Sequence, residues 1–215
     1  MTEHKGLVLW GAGTGRALRA HWALAELGLD YESRPIQPRT GETKTPEYTA
    51  LTARQKIPLL RDGTFTITES AAIIAYLSDT YASEETALMP RAARERAQCL
   101  EWCFFIMTEL DAASLYVIRR HRYLPETYGA APEVCDSAAA YFGQQMRAVD
   151  RQLAEGLPYL FGDRLTAADM LLSTCLTWAV SYGIPVGARA VAYNARITAR
   201  PAYLRAAVRN TPPNP

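Results

Sequence analysis

The chain has 215 residues, of which 49% are hydrophobic and 21% charged, so it can bury a sizeable core and is too apolar to stay disordered. A net charge of +1 gives no electrostatic reason to expect nucleic acid or a membrane surface as a partner, while small anionic ligands depend on local charge. The opening MTEHKG lacks the apolar core of a signal peptide. The best apolar stretch, Met170 to Val180, is broken by Ser173, Thr174 and Thr177, short of the roughly 18 residues of a membrane span. A cytoplasmic protein with no nucleic-acid and no membrane partner is expected.

The apolar run Leu7-Val8-Leu9-Trp10 reads as a buried strand, and Gly11-Ala12-Gly13-Thr14-Gly15 as its exit turn. Arg16 to Leu27 has helical spacing through Leu18, Trp22 and Ala25 and stops at Gly28. Tyr31 to Ile36 is a second strand, followed by a polar loop with Pro38, Gly41 and Pro46 and a weak helix from Glu47 to Ala53. Ile57-Pro58-Leu59-Leu60, the turn Arg61-Asp62-Gly63 and Thr64-Phe65-Thr66-Ile67 form a hairpin, with Asp-Gly as its turn signal. Glu69 to Tyr81 predicts a helix with Ala72, Ile73, Tyr76 and Leu77 on one side. A crossover unit joined to a hairpin unit gives an α/β domain over residues 1–82.

Residues 83–90 are polar and end in proline, as a linker does, and no strand pattern follows. Helices are expected from Arg91 to about Arg120, Pro132 to about Glu155, Thr166 to Val180, Ala188 to Arg196 and Pro201 to Arg209, forming an all-α domain over 91–215. Thr211-Pro-Pro-Asn-Pro reads as a loose tail. The four cysteines, Cys99, Cys103, Cys135 and Cys175, form no CxxC pair and have no clustered histidines, so buried reduced thiols are expected and no metal site.

Three segments have chemical potential, and each has a plainer structural reading. A cis bond before Pro58 turns the Ile57 N–H and C=O outward, where a peptide-like ligand can pair as an extra strand; the plainer reading is a trans proline opening an edge strand. Thr68-Glu69-Ser70 opens a helix whose unpaired amides attract a carboxylate, while Glu69 suits an adjacent ammonium group; alternatively Thr68 or Ser70 only caps the helix. Thr14 sits at another helix start, as an anion donor or as a simple N-cap. The glycines around it do not keep the G-x-G-x-x-G spacing of a nucleotide loop.

Taken together, Arg16-Ala-Leu-Arg-Ala-His-Trp-Ala-Leu-Ala-Glu-Leu-Gly-Leu-Asp-Tyr31, Lys56-Ile-Pro-Leu-Leu60 and Asp62-Gly-Thr-Phe-Thr-Ile-Thr-Glu-Ser-Ala-Ala-Ile-Ile-Ala-Tyr-Leu77 resemble the glutathione transferase superfamily, serine/threonine-type and bacterial-like. Tyr159-Leu-Phe-Gly-Asp-Arg-Leu-Thr-Ala-Ala-Asp-Met170 resembles its capping segment, with Thr166 and Asp169 as a capping box and Leu165 as a staple, and Arg200-Pro-Ala-Tyr203 its last-helix signature. The resemblance implies a thioredoxin-like N-terminal domain that binds glutathione and an all-α C-terminal domain that shapes the pocket of a small hydrophobic electrophile. It further implies a cytoplasmic homodimer acting in detoxification, with glutathione as co-substrate and no metal.

Residue by residue, the resemblance assigns Glu69 and Ser70 to the γ-glutamyl head, Ile57 and Pro58 to the cysteinyl backbone, and Lys56 to the glycine carboxylate. Serine-type members place a hydroxyl fourteen residues before the glycine that ends the first helix; from Gly28 this is Thr14, the expected catalytic residue. The position of the cysteine-type thiol is Arg16, which disfavours exchange chemistry through a protein thiol, and the aromatic ending the first strand is Trp10 rather than tyrosine. The family's Asn-Pro pair and glycine before Lys-Val-Pro read here as Thr52, Ala53 and Gln55, and Gly15 stands where many members carry a second hydroxyl. A glutathione-dependent isomerase or dehalogenase on the same scaffold, and a non-catalytic ligand-binding member, are the alternatives.

Overall fold

The computed structural model describes residues 6–212; the first five residues of the opening segment read for a signal peptide and the last three of the expected tail lie outside the described residues. The chain divides into two compact units. One comprises the residues up to Met89 together with those from Ala199 onward, and the other is Pro90–Thr198.

The first unit is built on four short strands, β1 (Leu7–Trp10), β2 (Glu32–Arg34), β3 (Leu59–Asp62) and β4 (Phe65–Thr68), in the order β2-β1-β3-β4. β1 pairs parallel with β2 and antiparallel with β3, and β3 pairs antiparallel with β4. The parallel pair requires a crossover, supplied by helix α1 (Gly15–Glu26). Side chains alternate along β1, so Val8 and Trp10 share one face, where they pack with Leu59 and with Tyr48 and Leu51 of α2 (Pro46–Leu51). β3 runs on through Asp62, which pairs with Phe65, so the hairpin turn is Gly63-Thr64, one residue later than Asp-Gly predicts, with Gly63 at φ +57°. Helix α3 (Ser70–Tyr81) buries Ile73, Ile74 and Leu77; Ala72 lies exposed, one position off the expected face.

After the second unit the chain returns to the first as the last helix. The terminal signature of that helix, Arg200-Pro-Ala-Tyr203, makes long-range bonds: Arg200 Nε and Nη2 each lie 2.7 Å from a Glu26 carboxylate oxygen, and Tyr203 meets Trp22 edge-on at 5.0 Å.

In the second unit, α4 (Ala93–Phe105) passes into a π-wound stretch, Ile106–Leu115, one turn of α5 (Tyr116–Ile118) and a second π-wound stretch, Arg119–Tyr123. The expected long helix is therefore a run of consecutive helical segments of different winding, and no Gly or Pro between 106 and 123 marks the change. Then come α6 (Pro125–Tyr128), which the sequence reading lacks, α7 (Pro132–Leu153), α8 (Ala167–Ser181) and α9 (Ala188–Thr198). α8 is the central helix, buried from Ala167 to Leu176. Its start is fixed by Asp169, whose carboxylate accepts from the amides of Thr166 and Leu160, the Thr166 hydroxyl and the Tyr193 hydroxyl at 2.6–2.8 Å. Burial raises the Asp169 pKa, and those hydrogen bonds offset only part of the rise. All four cysteines are buried free thiols. No helix among the described residues is long and apolar enough to cross a membrane, and no group of three potential metal ligands occurs among them.

A four-stranded mixed sheet with helices in the first unit, followed by a helical unit, is a thioredoxin-like domain with an all-α partner.

Candidate functional site

Three segments of the first unit converge around the end of β1. The strand exits through Gly11, whose φ of +123° and close packing both require glycine: a Cβ there would stand 2.8 Å from the Ile57 Cβ. The turn delivers Thr14 as N-cap of α1, its Oγ1 accepting from the Ala17 amide at 3.0 Å. This capping bond uses one lone pair and leaves the hydroxyl proton, which finds no acceptor among the described residues. The Gly15 N–H, first in the helix, has no partner there either, so two donors face outward at the positive end of α1.

The second segment is Lys56-Ile57-Pro58. The Ile57–Pro58 bond is cis, and the Ile57 N–H and C=O have no hydrogen-bond partner among the described residues, because β3 starts only at Leu59. The loop is anchored from behind: the buried Tyr48 hydroxyl donates to the Lys56 carbonyl at 2.7 Å, and Ile57 packs on the cluster of Val8, Trp10, Tyr48 and Leu59. Burial raises the Tyr48 pKa and keeps its proton in place. Gln55 holds φ +51°, a left-handed conformation that explains why glycine suits this position, and its amide donates to the Thr49 hydroxyl at 3.0 Å. The Lys56 side chain is exposed.

The third segment is the tip of α3. Glu69 precedes it at φ +70° and caps nothing with its side chain, so the Ser70, Ala71 and Ala72 amides are left without a side-chain cap. A non-glycine residue held at such a φ stores strain of the kind that collects at ligand clamps. The Ser70 hydroxyl is buried, with the Nη1 of the buried Arg19 at 3.5 Å. Glu69 pairs with Arg54 at 3.0 Å, but both side chains are 64% exposed, and such pairs contribute at most about 1 kcal/mol, so the carboxylate is open to a better partner.

These groups share supports. Gly11 touches Ile57, and α1 carries Thr14 at its tip and Arg19 five residues on, against Ser70. His21 of the same helix is fully buried, with Nε2 at 2.9 Å from the Gly11 carbonyl and Nδ1 at 2.7 Å from the Tyr31 hydroxyl. A carbonyl only accepts, so Nε2 carries the proton and Nδ1 accepts from Tyr31. Burial lowers the His21 pKa, and Arg209 lowers it further, against the Gly11 bond that raises it. Trp10 is buried between the guanidinium groups of Arg34 and Arg61, at 5.4 and 5.2 Å, and is part of the core.

The Gly11–Ile57 and Arg19–Ser70 contacts tie the turn that carries Thr14 to Ile57-Pro58 and to the α3 tip at Glu69-Ser70, whereas the Lys56 side chain is exposed and makes no hydrogen bond or ion pair among the described residues. Arg19, His21, Tyr48 and Arg54 were not singled out from sequence. Arg19 and His21 lie among the buried positions of α1, which a polar residue on an apolar helix face can signal; nothing local marks Tyr48 or Arg54. Chemically the site offers two helix tips, two free donors beside Thr14, an unpaired extended backbone and a carboxylate, a set suited to a small peptide with its own anionic and cationic ends.

Such a site on a thioredoxin-like domain followed by a helical one suits a protein that binds a small peptide. The chain belongs to the glutathione S-transferase family: residues 5–79 match the model of the glutathione S-transferase N-terminal domain and residues 92–208 that of the C-terminal domain. It is 31% identical over 169 residues to glutathione S-transferase 3 of Zea mays, covering 71% of this chain and 68% of the maize protein. Among solved structures, the theta class glutathione S-transferase of Xanthomonas axonopodis pv. citri with glutathione bound superposes with a TM-score of 0.79 at 28% identity, over 94% of this chain and 97% of that one. A glutathione transferase from Methylococcus capsulatus str. Bath superposes with a TM-score of 0.80 at 30% identity, again over 94% and 97%. The protein is a glutathione S-transferase-like enzyme.

Proposed function

We propose that the chain conjugates the thiolate of bound glutathione to a small hydrophobic electrophile, with Thr14 as the catalytic residue. The observation that carries this reading is the set of unsatisfied groups on the first unit: the Thr14 hydroxyl proton and Gly15 N–H, the Ile57 main chain, and the uncapped tip of α3 beside Glu69. A γ-linked tripeptide satisfies them in order. Its α-carboxylate takes the α3 amides and the Ser70 hydroxyl, its ammonium pairs with Glu69, its cysteinyl backbone pairs with Ile57 next to Pro58, and its glycine carboxylate lies near Lys56. The thiol then lies toward Thr14, whose O–H donates to the thiolate. A thiol is a poor nucleophile, so stabilising the thiolate is the catalytic contribution, and no general base is required.

The reading extends to a cytoplasmic homodimer acting in detoxification, supported by the family. The test is calorimetry with glutathione, then an electrophile panel of a chloro-nitro-aromatic and an epoxide on the same sample. Binding with consumption of glutathione supports it. Turnover without net consumption replaces it with an isomerase or dehalogenase, and absence of binding removes it.

A further inference from the structure

Asn210, which follows the last helix α10 (Pro201–Arg209), lies 196 residues from Thr14 in the chain yet clamps the turn that carries it. Its carbonyl accepts from the Gly13 amide at 2.7 Å, and its Nδ2 donates to the Thr14 carbonyl at 3.2 Å. Both bonds go to the main chain on either side of the Gly13–Thr14 peptide, beside the Leu18 amide that donates to the same Thr14 carbonyl at 2.9 Å, so they restrain the peptide from which the Thr14 side chain leaves. The preceding residue acts on the same turn from its other end. Arg209 stacks its guanidinium over the Tyr31 ring at 5.6 Å, Tyr31 donates to His21, and His21 donates to the Gly11 carbonyl. Among the described residues the Asn210 Oδ1 is buried without a hydrogen-bond partner, a cost that fits a residue held in place by the bonds of its carbonyl and Nδ2.

From this we infer that Asn210 is a positioning residue for thiolate activation: the end of α10 holds the Gly13–Thr14 turn so that the Thr14 hydroxyl and the Gly15 amide point at the glutathione sulfur. The inference rests on the reading of Thr14 as the thiolate donor. Asn210 touches neither ligand nor reacting atom; it acts through the orientation of a hydrogen bond whose strength falls steeply with angle. Its side chain therefore matters to ionisation of the bound thiol and not to affinity for the peptide portion of glutathione, which is held at Ile57, Glu69 and Ser70.

The experiment is Asn210→Ala, which removes the bond to the Thr14 carbonyl and keeps the main-chain bond to Gly13. The near-isosteric Asn210→Leu removes the same donor without adding charge should the alanine variant fail to fold. The pKa of bound glutathione is read from the ultraviolet absorbance of the thiolate and from the pH profile of conjugation. Calorimetry with S-methylglutathione, which has no ionisable thiol, reports peptide binding alone. The expected result is a bound-thiol pKa raised by about half to one unit, a roughly three- to tenfold loss in ionisation constant, with S-methylglutathione affinity within about twofold of wild type. A pKa within about 0.2 unit of wild type in the folded variant, even with a lowered melting temperature, overturns the inference and leaves Thr14 activation standing. Failure of the Thr14 reading shows itself separately, in the wild-type protein, as a bound thiol that ionises no more readily than free glutathione; that result overturns both.

Discussion

Replacing Thr14 by alanine removes two separate functions of one oxygen, and the structure lets their sizes be worked out. The Oγ1 bond to the Ala17 amide is an N-cap, whose loss costs about 0.5–2 kcal/mol of stability. The free O–H, if it donates to a thiolate, contributes about 1.5–3 kcal/mol to the charged form. At 1.36 kcal/mol per unit, that raises the bound-thiol pKa by about one to two units. For a site that lowers a free thiol from about 8.5 to about 6.5, the thiolate fraction at pH 6.5 drops from about half to roughly 1–9%. The rate falls by less, because a more basic thiolate is a better nucleophile, with a Brønsted slope of about 0.4–0.5. The titration of the bound thiol, followed by ultraviolet absorbance, is therefore the decisive assay, and the alanine variant should approach or exceed wild type in rate at high pH. Thr14→Ser keeps both functions and should titrate as wild type. Thr14→Asp keeps the cap, has no donor and adds repulsion, so it should be stable with the highest pKa of the series. An alanine variant with an unshifted bound-thiol pKa refutes the reasoning.

Gly11→Ala forces a side chain into the Ile57 contact at a φ of +123°, and should cost about 2–4 kcal/mol of stability and weaken glutathione binding by displacing the Ile57 loop; melting and calorimetry check both. Asp169→Ala strands the Leu160 and Thr166 amides and the Tyr193 hydroxyl, and is expected to destabilise by about 3–5 kcal/mol, lowering Tm by roughly 6–20 °C; a drop of less than about 3 °C contradicts the role given to the cap. Burial holds the folded-state pKa of His21 below the 6.5 of an ordinary histidine, so the unfolded chain takes up the proton first as pH falls. Its contribution is fully present above 6.5 and is lost as pH drops from 6.5 through the folded value, at up to about 1.4 kcal/mol per pH unit; denaturant melts of wild type and His21→Ala across that window should show the steeper slope in wild type.

Features set by neighbours in sequence were legible without coordinates. The apolar run Leu7–Trp10, the helix stop at Gly28, the Thr166–Asp169 box and Pro201 at the first turn of the last helix all work through bonds or sterics spanning a few residues, and each element lies where its signal stands. Small offsets arose where two local signals competed: Asp62-Gly63 is a strong turn pair, but pairing of Asp62 with Phe65 extends β3 and moves the turn to Gly63-Thr64. The proposed site positions Thr14, Glu69 and Ser70 stand out in the sequence because each sits at a helix start, where main-chain groups are left over by rule, and Ile57 because a proline follows it two residues ahead of β3. Their supports were not. Tyr48 reaches the Lys56 carbonyl, Arg19 reaches Ser70, and Asn210 reaches Thr14 only after the chain has folded back on itself. Likewise, the sequence places Pro201–Arg209 in the helical half, whereas Arg200, Tyr203 and Arg205 bind α1 and draw that helix into the first unit. Local order follows from dihedral preference and hydrogen bonds within a few residues, which any short window of sequence contains; the orientation of a functional group depends on partners far along the chain, and only packing selects them.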